Sequence, residues 1–161
     1  MIPSLSPQQL QAACTALSSA ALIRLVSEID DHGAIPPREL ARTLTDLTPH
    51  QIRQAIEQAD ALGLLDRSSC GLGLTAEGGD LADVYDATAR WARRHNQPAP
   101  ICDFAGRIRH TFALLGEPAA VDPRTTGGEA AAGLGRVHRL LAEWIHAHPS
   151  QQIRGAYGVA A

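Results

Sequence analysis

Residues 47–65 read LTPHQIRQAIEQADALGLL, and this stretch decides the fold. Thr48 is a helix-capping residue type, Pro49 suits the first helical position, and Gln51 is placed to close a capping box onto Thr48. Gly63 is the residue type that ends a helix. The apolar residues at helical spacing are Ile52, Ile56, Ala59 and Leu62. The stretch therefore predicts a capped helix with one buried face, which leaves exposed His50, Arg53, Gln54, Glu57 and Asp60.

Two shorter helices are predicted before this one. After a short polar lead, four apolar residues recur at positions i, i+3, i+4 and i+7 and so share one helical face: Leu22, Leu25, Val26 and Ile29. Residues 30–33 then stop this helix. The pair Pro36-Pro37 can open a second helix, because proline is tolerated in the first turn. It is expected to end near Thr45, with an apolar stripe of Leu40, Ala41 and Leu44.

A small β-hairpin is predicted after the central helix. Residues 64–66 and 72–74 have the pattern of two short strands around a polar turn. From Thr75 a long helix follows and ends in basic residues near His95, and residues 96–100 break it. Its apolar stripe, close to heptad spacing, is Leu81, Val84, Thr88 and Trp91.

Two more amphipathic helices are expected towards the C-terminus. A loop rich in Gly, Pro and Thr separates them at 116–128. The stripe of the first is Ile101, Phe104, Ala105, Ile108, Phe112 and Leu115, and the stripe of the second is Leu134, Val137, Leu141, Trp144 and Ile145.

This order of elements indicates a mainly α-helical protein with a small β-hairpin, a winged helix-turn-helix with a C-terminal helical extension. In that fold the third helix enters the major groove of DNA, and the hairpin, called the wing, lies along the backbone or minor groove. We expect a winged helix-turn-helix domain over 1–95 with a dimerisation helix at its end, a helical extension over 101–148, and a flexible tail over 149–161.

Segments 44–67 and 72–95 resemble the HxlR family of bacterial winged-helix transcription regulators, and MarR-like regulators fit the same core almost as well. The matching features are Thr48-Pro49 opening the recognition helix, Gly63-Leu64 before the wing, Leu-Thr-x-x-Gly at 74–78, and Trp91 followed by basic residues up to His95. The resemblance implies a homodimer that binds double-stranded DNA at a two-fold operator through two recognition helices.

Candidate DNA contacts cluster around the recognition helix. Arg53 can pair with guanine and Gln54 with adenine on major-groove edges. Gln51 has two alternative roles, helix capping or base reading. The full set of candidates is Arg38, Arg42, Thr48, His50, Gln51, Arg53, Gln54 and Arg67, of which Arg38, Arg42 and Arg67 would contact phosphates. The dimer contact is expected to include Leu81, Val84, Thr88 and Trp91.

A second interpretation is a winged-helix module that does not bind DNA but serves dimerisation, ligand binding or protein interaction. Similar modules stand at the front of small-molecule O-methyltransferases. The local charge favours this alternative, because residues 36–67 hold 4 Arg against 5 acidic residues. The helical extension could complete a dimer or cover a pocket for a small-molecule effector, and the sequence leaves both open.

Composition narrows the remaining classes of protein. The chain has 161 residues and only 4% aromatic residues, so its core is expected to be built from Leu, Ile, Val and Ala, which suits packed helices. No window approaches the roughly 18 apolar residues of a membrane span, and the N-terminus has no basic leader, so we expect a cytoplasmic protein. Charge is uneven, with 5 Arg against 12 acids in residues 1–87 and 9 Arg against 5 acids in 88–161.

No catalytic, cofactor or metal motif stands out, so the sequence predicts neither an enzyme nor a cofactor or metal site. The three cysteines form no CxxC pair and are expected to be reduced thiols: Cys14, Cys70 and Cys102. A thiol-based redox sensor through Cys14 or Cys70 is an alternative to that expectation. His138, His146 and His148 are interpreted as ordinary surface histidines.

Overall fold

A computed structural model describes residues 5–97, 103–116 and 128–148, and it is mainly helical. Residues 1–4, 98–102, 117–127 and 149–161 lie outside this description. With them fall most of the expected linker, Ile101, Cys102, most of the 116–128 loop and the expected tail. The elements are α1 (Pro7–Leu17), α2 (Ala20–His32), a 3-10 turn (Pro37–Glu39) leading into α3 (Leu40–Thr43), α4 (Pro49–Ala61), β1 (Leu65–Ser68), β2 (Gly71–Leu74), α5 (Ala76–Arg94), α6 (Phe104–Gly116) and α7 (Gly128–Ala147).

The predicted hairpin is confirmed. Strands β1 and β2 pair antiparallel, with Leu65 opposite Leu74 and Ser68 opposite Gly71. Ile35 adds a one-residue bridge, since its amide and carbonyl exchange hydrogen bonds with Leu72 at 2.9 and 2.8 Å. This close approach requires glycine at position 71, where φ is +122° and a Cβ atom would lie 2.4 Å from the carbonyl carbon of Ile35.

Helix α1 differs from the sequence-based expectation of a short polar lead before Leu22. Ser6 caps it with a full capping box: its hydroxyl accepts from the amide of Gln9, and the Gln9 side chain accepts from the amide of Ser6. The C-terminal half of α1 buries Ala13, Cys14, Ala16 and Leu17 against the rest of the chain. The polar and exposed residues of α1 therefore lie mainly in its first turns.

The stripe predicted on α2 is completely buried at the centre of the molecule. Leu22, Leu25 and Val26 have no exposed surface, and α2 packs against α4, α5, α6 and β2. Leu40 and Leu44 of the short second helix are also buried, whereas Ala41 is exposed, in contrast to the prediction.

The C-terminal helices share this core. Helix α6 packs against α1 and α5, and α7 packs against α5. Ile108, Phe112 and Trp144 belong to the same buried cluster as the α2 stripe. The hydroxyl of Tyr85 on α5 donates to the carbonyl of Leu17 at 2.8 Å, which joins α5 to the end of α1.

The expected role of α5 in dimerisation needs correction. The side chains of Leu81, Val84, Thr88 and Trp91 are exposed by 0, 3, 0 and 7%, respectively, in the single chain. They pack against elements of their own chain, chiefly α2, α6 and α7. Heptad spacing predicted a buried face correctly but not its partner, and any contact between copies would use other residues.

Membrane-spanning potential was also assessed over the described residues. None of the described helices alone combines the length and apolar character that a span requires. Helices α1 and α2 meet the criterion only when taken together, and they are bent by 70° at the break between them.

Candidate nucleic-acid interface

The start of α4 is fixed by the capping box that the sequence predicts. The hydroxyl of Thr48 accepts from the amide of Gln51 at 3.2 Å, and the amide of Thr48 donates to Oε1 of Gln51 at 2.8 Å. A bidentate contact with adenine needs both the oxygen and the nitrogen of a glutamine side chain. The structure therefore assigns Gln51 to capping, and while the box is intact this residue is not available for bidentate base reading.

Three polar side chains project from the first two turns of α4. His50, Arg53 and Gln54 are exposed and stand at i, i+3 and i+4, so they lie on one face of the helix. The opposite face buries Ile52, Ala55 and Ala59 and leaves Ile56 half-buried. Burial thus fixes the rotation of α4 about its axis and turns the three polar residues outwards.

Two further arginines flank this face. Arg38 lies in the 3-10 turn and Arg42 in α3, four residues apart, and both are exposed. Helix α3 packs against α4. Arg38, Arg42 and Arg53 form no ion pair within the described part of the chain. We call these three guanidinium groups, with His50 and Gln54, the α3–α4 polar face.

Two of the acidic residues near this face, Asp46 and Asp60, are paired with other arginines. Asp46, in the turn between α3 and α4, accepts from Nε and Nη2 of Arg24 at 2.9 and 3.2 Å. These hydrogen bonds hold the pKa of Asp46 below its usual range. At the other end of α4, Asp60 pairs with Arg67 at 2.5 Å. Glu39 beside Arg38 and Glu57, four residues after Arg53, are exposed and form no ion pair within the described residues, so part of the unfavourable charge of residues 36–67 does lie at the α3–α4 polar face.

The same ion pair changes the expectation for Arg67. The sequence proposes this residue of β1 as a phosphate contact, but Nη2 of Arg67 donates to Asp60 of α4. Its positive charge is thus compensated within the chain. The exposed residues of the hairpin turn, Ser68, Ser69 and Cys70, offer hydroxyls and a thiol but no other cation.

The second half of α4 forms one wall of a wide groove that the sequence did not predict. The groove has a volume of about 1100 Å³ and runs between α4, α1 and α6. Gln54 and Glu57 line it from α4, and Arg109 lines it from α6. Nε2 of Gln58 donates to the carbonyl of Ala16 at 2.9 Å and ties α4 to the end of α1. The Ser6-Pro7-x-Gln9 pattern, a copy of the capping signal at Thr48, could have revealed α1 and hence this groove.

The cysteines and histidines do not form an additional site within the described residues. Cys14 is buried, and burial raises the pKa of its thiol to about 12, which opposes thiolate chemistry at neutral pH. Cys70 is exposed. His148 is not a surface residue as expected: it is 5% exposed and stacks on Trp144 with ring centroids 4.2 Å apart. Among residues 5–97, 103–116 and 128–148, no cluster of three His, Cys, Asp or Glu could hold a metal ion.

Comparisons with known proteins give no relative for this chain: no protein-family model, curated protein or solved structure matches it. The geometry of the α3–α4 polar face therefore carries the functional inference.

Proposed function

We propose that this protein is a winged helix-turn-helix transcriptional regulator that binds double-stranded DNA. In this assignment α2, α3 and α4 form the three-helix unit, α4 is the recognition helix, and the β1–β2 hairpin is a short wing. The observation that carries the proposal is the α3–α4 polar face, where Arg38, Arg42 and Arg53 are exposed and unpaired within the described residues.

The roles of these side chains follow from their positions. Arg53 and Gln54, on the outward face of α4, would contact base edges in the major groove, where arginine recognises guanine and glutamine recognises adenine. Arg38 and Arg42 would contact phosphates, which position the protein without reading sequence. His50 stands at the start of α4, where the free amides of a helix N-terminus also favour a phosphate. The wing would contribute little charge because Arg67 is paired with Asp60.

A two-fold operator would require two copies of the chain. Because Leu81, Val84, Thr88 and Trp91 are buried within one chain, the copies would meet through a different surface. The homodimer therefore remains part of the proposal, but the buried stripe of α5 would not form its contact surface.

A salt-titrated binding assay on the upstream DNA of the gene and on an unrelated duplex tests the proposal. We expect a preference for the upstream DNA that the Arg53→Ala, Gln54→Ala double variant loses. Arg38→Ala should instead weaken binding to both duplexes alike and lower the slope of affinity against salt by about one. Arg139→Ala, on the exposed surface of α7, is the charge-matched control and should leave the preference unchanged.

Absence of binding near about 50 mM salt, where phosphate contacts are strongest, would overturn the DNA-binding proposal. The second candidate, a protein- or ligand-interaction module, would then gain weight. The observation that favours this candidate is the groove of about 1100 Å³ between α1, α4 and α6, because it is lined by the C-terminal half of the same helix.

A further inference from the structure

A second, smaller cleft lies far along the chain from the α3–α4 polar face, between the C-terminal end of α5 and the middle of α7. Its volume is about 220 Å³. Apolar side chains and arginines line it together: Trp91 and Leu140 stand beside Arg90, Arg94 and Arg136. Leu140 is the one large apolar residue of the described chain that is clearly exposed, at 41%. The cleft therefore combines exposed apolar surface with positive charge.

The floor of the cleft is rigidly built. Nε1 of Trp91 donates to the carbonyl of Ala130 at 2.9 Å, which fixes the indole ring of α5 against α7. Gly133 makes this contact possible, because a Cβ atom there would lie 2.6 Å from Cδ1 of Trp91. Nη2 of Arg136 lies 3.6 Å from the same Cβ position, so this guanidinium group lies beside Gly133.

The charges around the cleft leave two of its arginines without an ion pair among the described residues. Arg94 forms an ion pair with Glu129 at 3.0 Å. Arg90 forms no ion pair in the described part of the chain, although Asp86 stands four residues earlier on α5. Arg136 has no ion pair within the described part of the chain. The other titratable groups that line the cleft are His95 and Glu129. The ring of His95 lies 5.3 Å from that of Trp91.

We propose that this cleft binds a small organic monocarboxylate with an apolar body. The carboxylate would accept a paired hydrogen bond from Arg136, since the guanidinium fork matches carboxylate geometry. The apolar body would contact Leu140 and the part of Trp91 that lines the cleft. A cavity of roughly 150 Å³ is enough for benzene, so a single ring with a carboxylate is a suitable size for this cleft. Arg136, with Arg90 also lining the cleft, supplies the positive charge that a carboxylate requires, and the apolar wall distinguishes this site from a contact with DNA phosphates. The proposal is independent of DNA binding.

Benzoate is a suitable probe, and the indole N–H resonances of the two tryptophans report on its position. Trp91 lines the cleft, whereas Nε1 of Trp144 donates to the carbonyl of Glu77 at 3.0 Å and serves as an internal reference. In a benzoate titration of the assigned, nitrogen-15-labelled full-length protein, we expect the Trp91 signal to shift with a Kd of the order of 1 mM and the Trp144 signal to stay in place. Benzyl alcohol, the neutral analogue, should bind at least about tenfold more weakly, because a hydrogen bond to a charged group is lost.

The variant Arg136→Gln should weaken benzoate binding by about tenfold or more. Arg93→Gln is the matched control, since Arg93 is exposed on the same end of α5 and does not line the cleft. Equal binding of benzoate and benzyl alcohol, an unchanged Kd in Arg136→Gln, equal weakening in Arg93→Gln, or no shift of Trp91 would each overturn the proposal. None of these results bears on DNA binding, which the duplex assay tests separately.

Discussion

At the scale of single residues, the Arg24–Asp46 ion pair fixes the turn before α4. Arg24 on α2 donates two hydrogen bonds to Asp46 and contacts Glu28 at 3.4 Å. The pair connects elements that are 22 residues apart in sequence. It also compensates a negative charge close to the α3–α4 polar face.

Replacement of this aspartate gives the first prediction. Asp46→Asn should lower the free energy of unfolding by about 0.5 kcal/mol at neutral pH, the usual size for an exposed ion pair. The pKa of Asp46 is lowered in the folded chain, so its contribution is complete above pH about 4 and is lost as the pH falls through the lowered value. Urea unfolding at neutral and acidic pH checks this. Asp66→Asn, exposed on β1, is the control, and an equal loss in that variant at every pH would contradict the role of the pair.

An acidic cluster on α2 and α5 should behave in the opposite way. Burial raises the pKa of Asp30, and repulsion from Asp31 and Asp83 adds to the shift. The pKa of Asp86 is also raised, first by burial and then by Asp30 and Asp31. The ionised form of these groups is therefore disfavoured by folding, and their repulsion lowers stability whenever the pH exceeds the raised pKa values.

Asp30→Asn should thus raise the free energy of unfolding by a few tenths of a kcal/mol at neutral pH, after allowance for solvent screening. As the pH falls through the raised pKa to the ordinary value of about 4, the wild-type carboxylate becomes protonated. The difference in free energy of unfolding between the two proteins should then vanish. Thermal unfolding as a function of pH measures it. A stabilisation that persists unchanged below pH about 4 would point to helix geometry and not to charge repulsion.

At the scale of secondary-structure elements, close packing of α5 on α7 depends on one glycine. Gly133→Ala places a Cβ atom 2.6 Å from Cδ1 of Trp91, whose ring is held by its bond to Ala130. Overpacking of this kind costs about 1–3 kcal/mol. We expect Gly133→Ala to lower the melting temperature accordingly.

Gly135 offers an unusually good control, two residues further on the same helix. No atom lies within 4 Å of a Cβ built there, and the residue is exposed. Gly135→Ala should raise stability by up to about 1 kcal/mol, because alanine is the better helix former. If both alanine variants were stabilising, the close contact of Trp91 with α7 would be wrong.

The capping signals show how much of the elements could be predicted from sequence. Thr48 and Gln51 predicted the start of α4 correctly, because a capping box is formed by residues three positions apart and needs no knowledge of the tertiary structure. Ser6 and Gln9 form the same capping box at the start of α1, within the segment expected to be a polar lead. Local chemistry was thus sufficient for both helix starts.

Contacts between elements were less predictable. The stripe that includes Leu81 and Trp91 was correctly predicted to be buried, but periodicity does not identify what covers it, and α6 and α7 do so here. The pairing of Arg67 with Asp60 depends on how β1 returns beside α4, which residue spacing does not give. His148 was misjudged for the same reason, since its burial depends on stacking against Trp144.

At the scale of the whole molecule, the C-terminal helices belong to the same core as α4. The rings of Tyr85 and Phe112 lie 6.0 Å apart, and Trp144 bonds to the carbonyl of Glu77 in the first turn of α5. Residues from α1 to α7 share one buried cluster. Within the described part of segment 1–95, helices α1, α2 and α5 pack against α6, and α5 also packs against α7.

A fragment of residues 1–97 tests how much this shared core matters. The large buried side chains that it lacks include Ile108, Phe112, Leu141 and Trp144. Burial of each contributes about 1.5–3 kcal/mol, and their sum is comparable with the whole net stability of a domain, about 5–15 kcal/mol. Their loss also exposes the surfaces of Tyr85 and Trp91. We expect the fragment to retain helical circular dichroism but to lose the cooperative thermal transition of the full chain. A cooperative transition with a native-like near-ultraviolet signal from Trp91 would instead show that the first 97 residues fold without α6 and α7. The extension would then be free to move relative to the α3–α4 polar face.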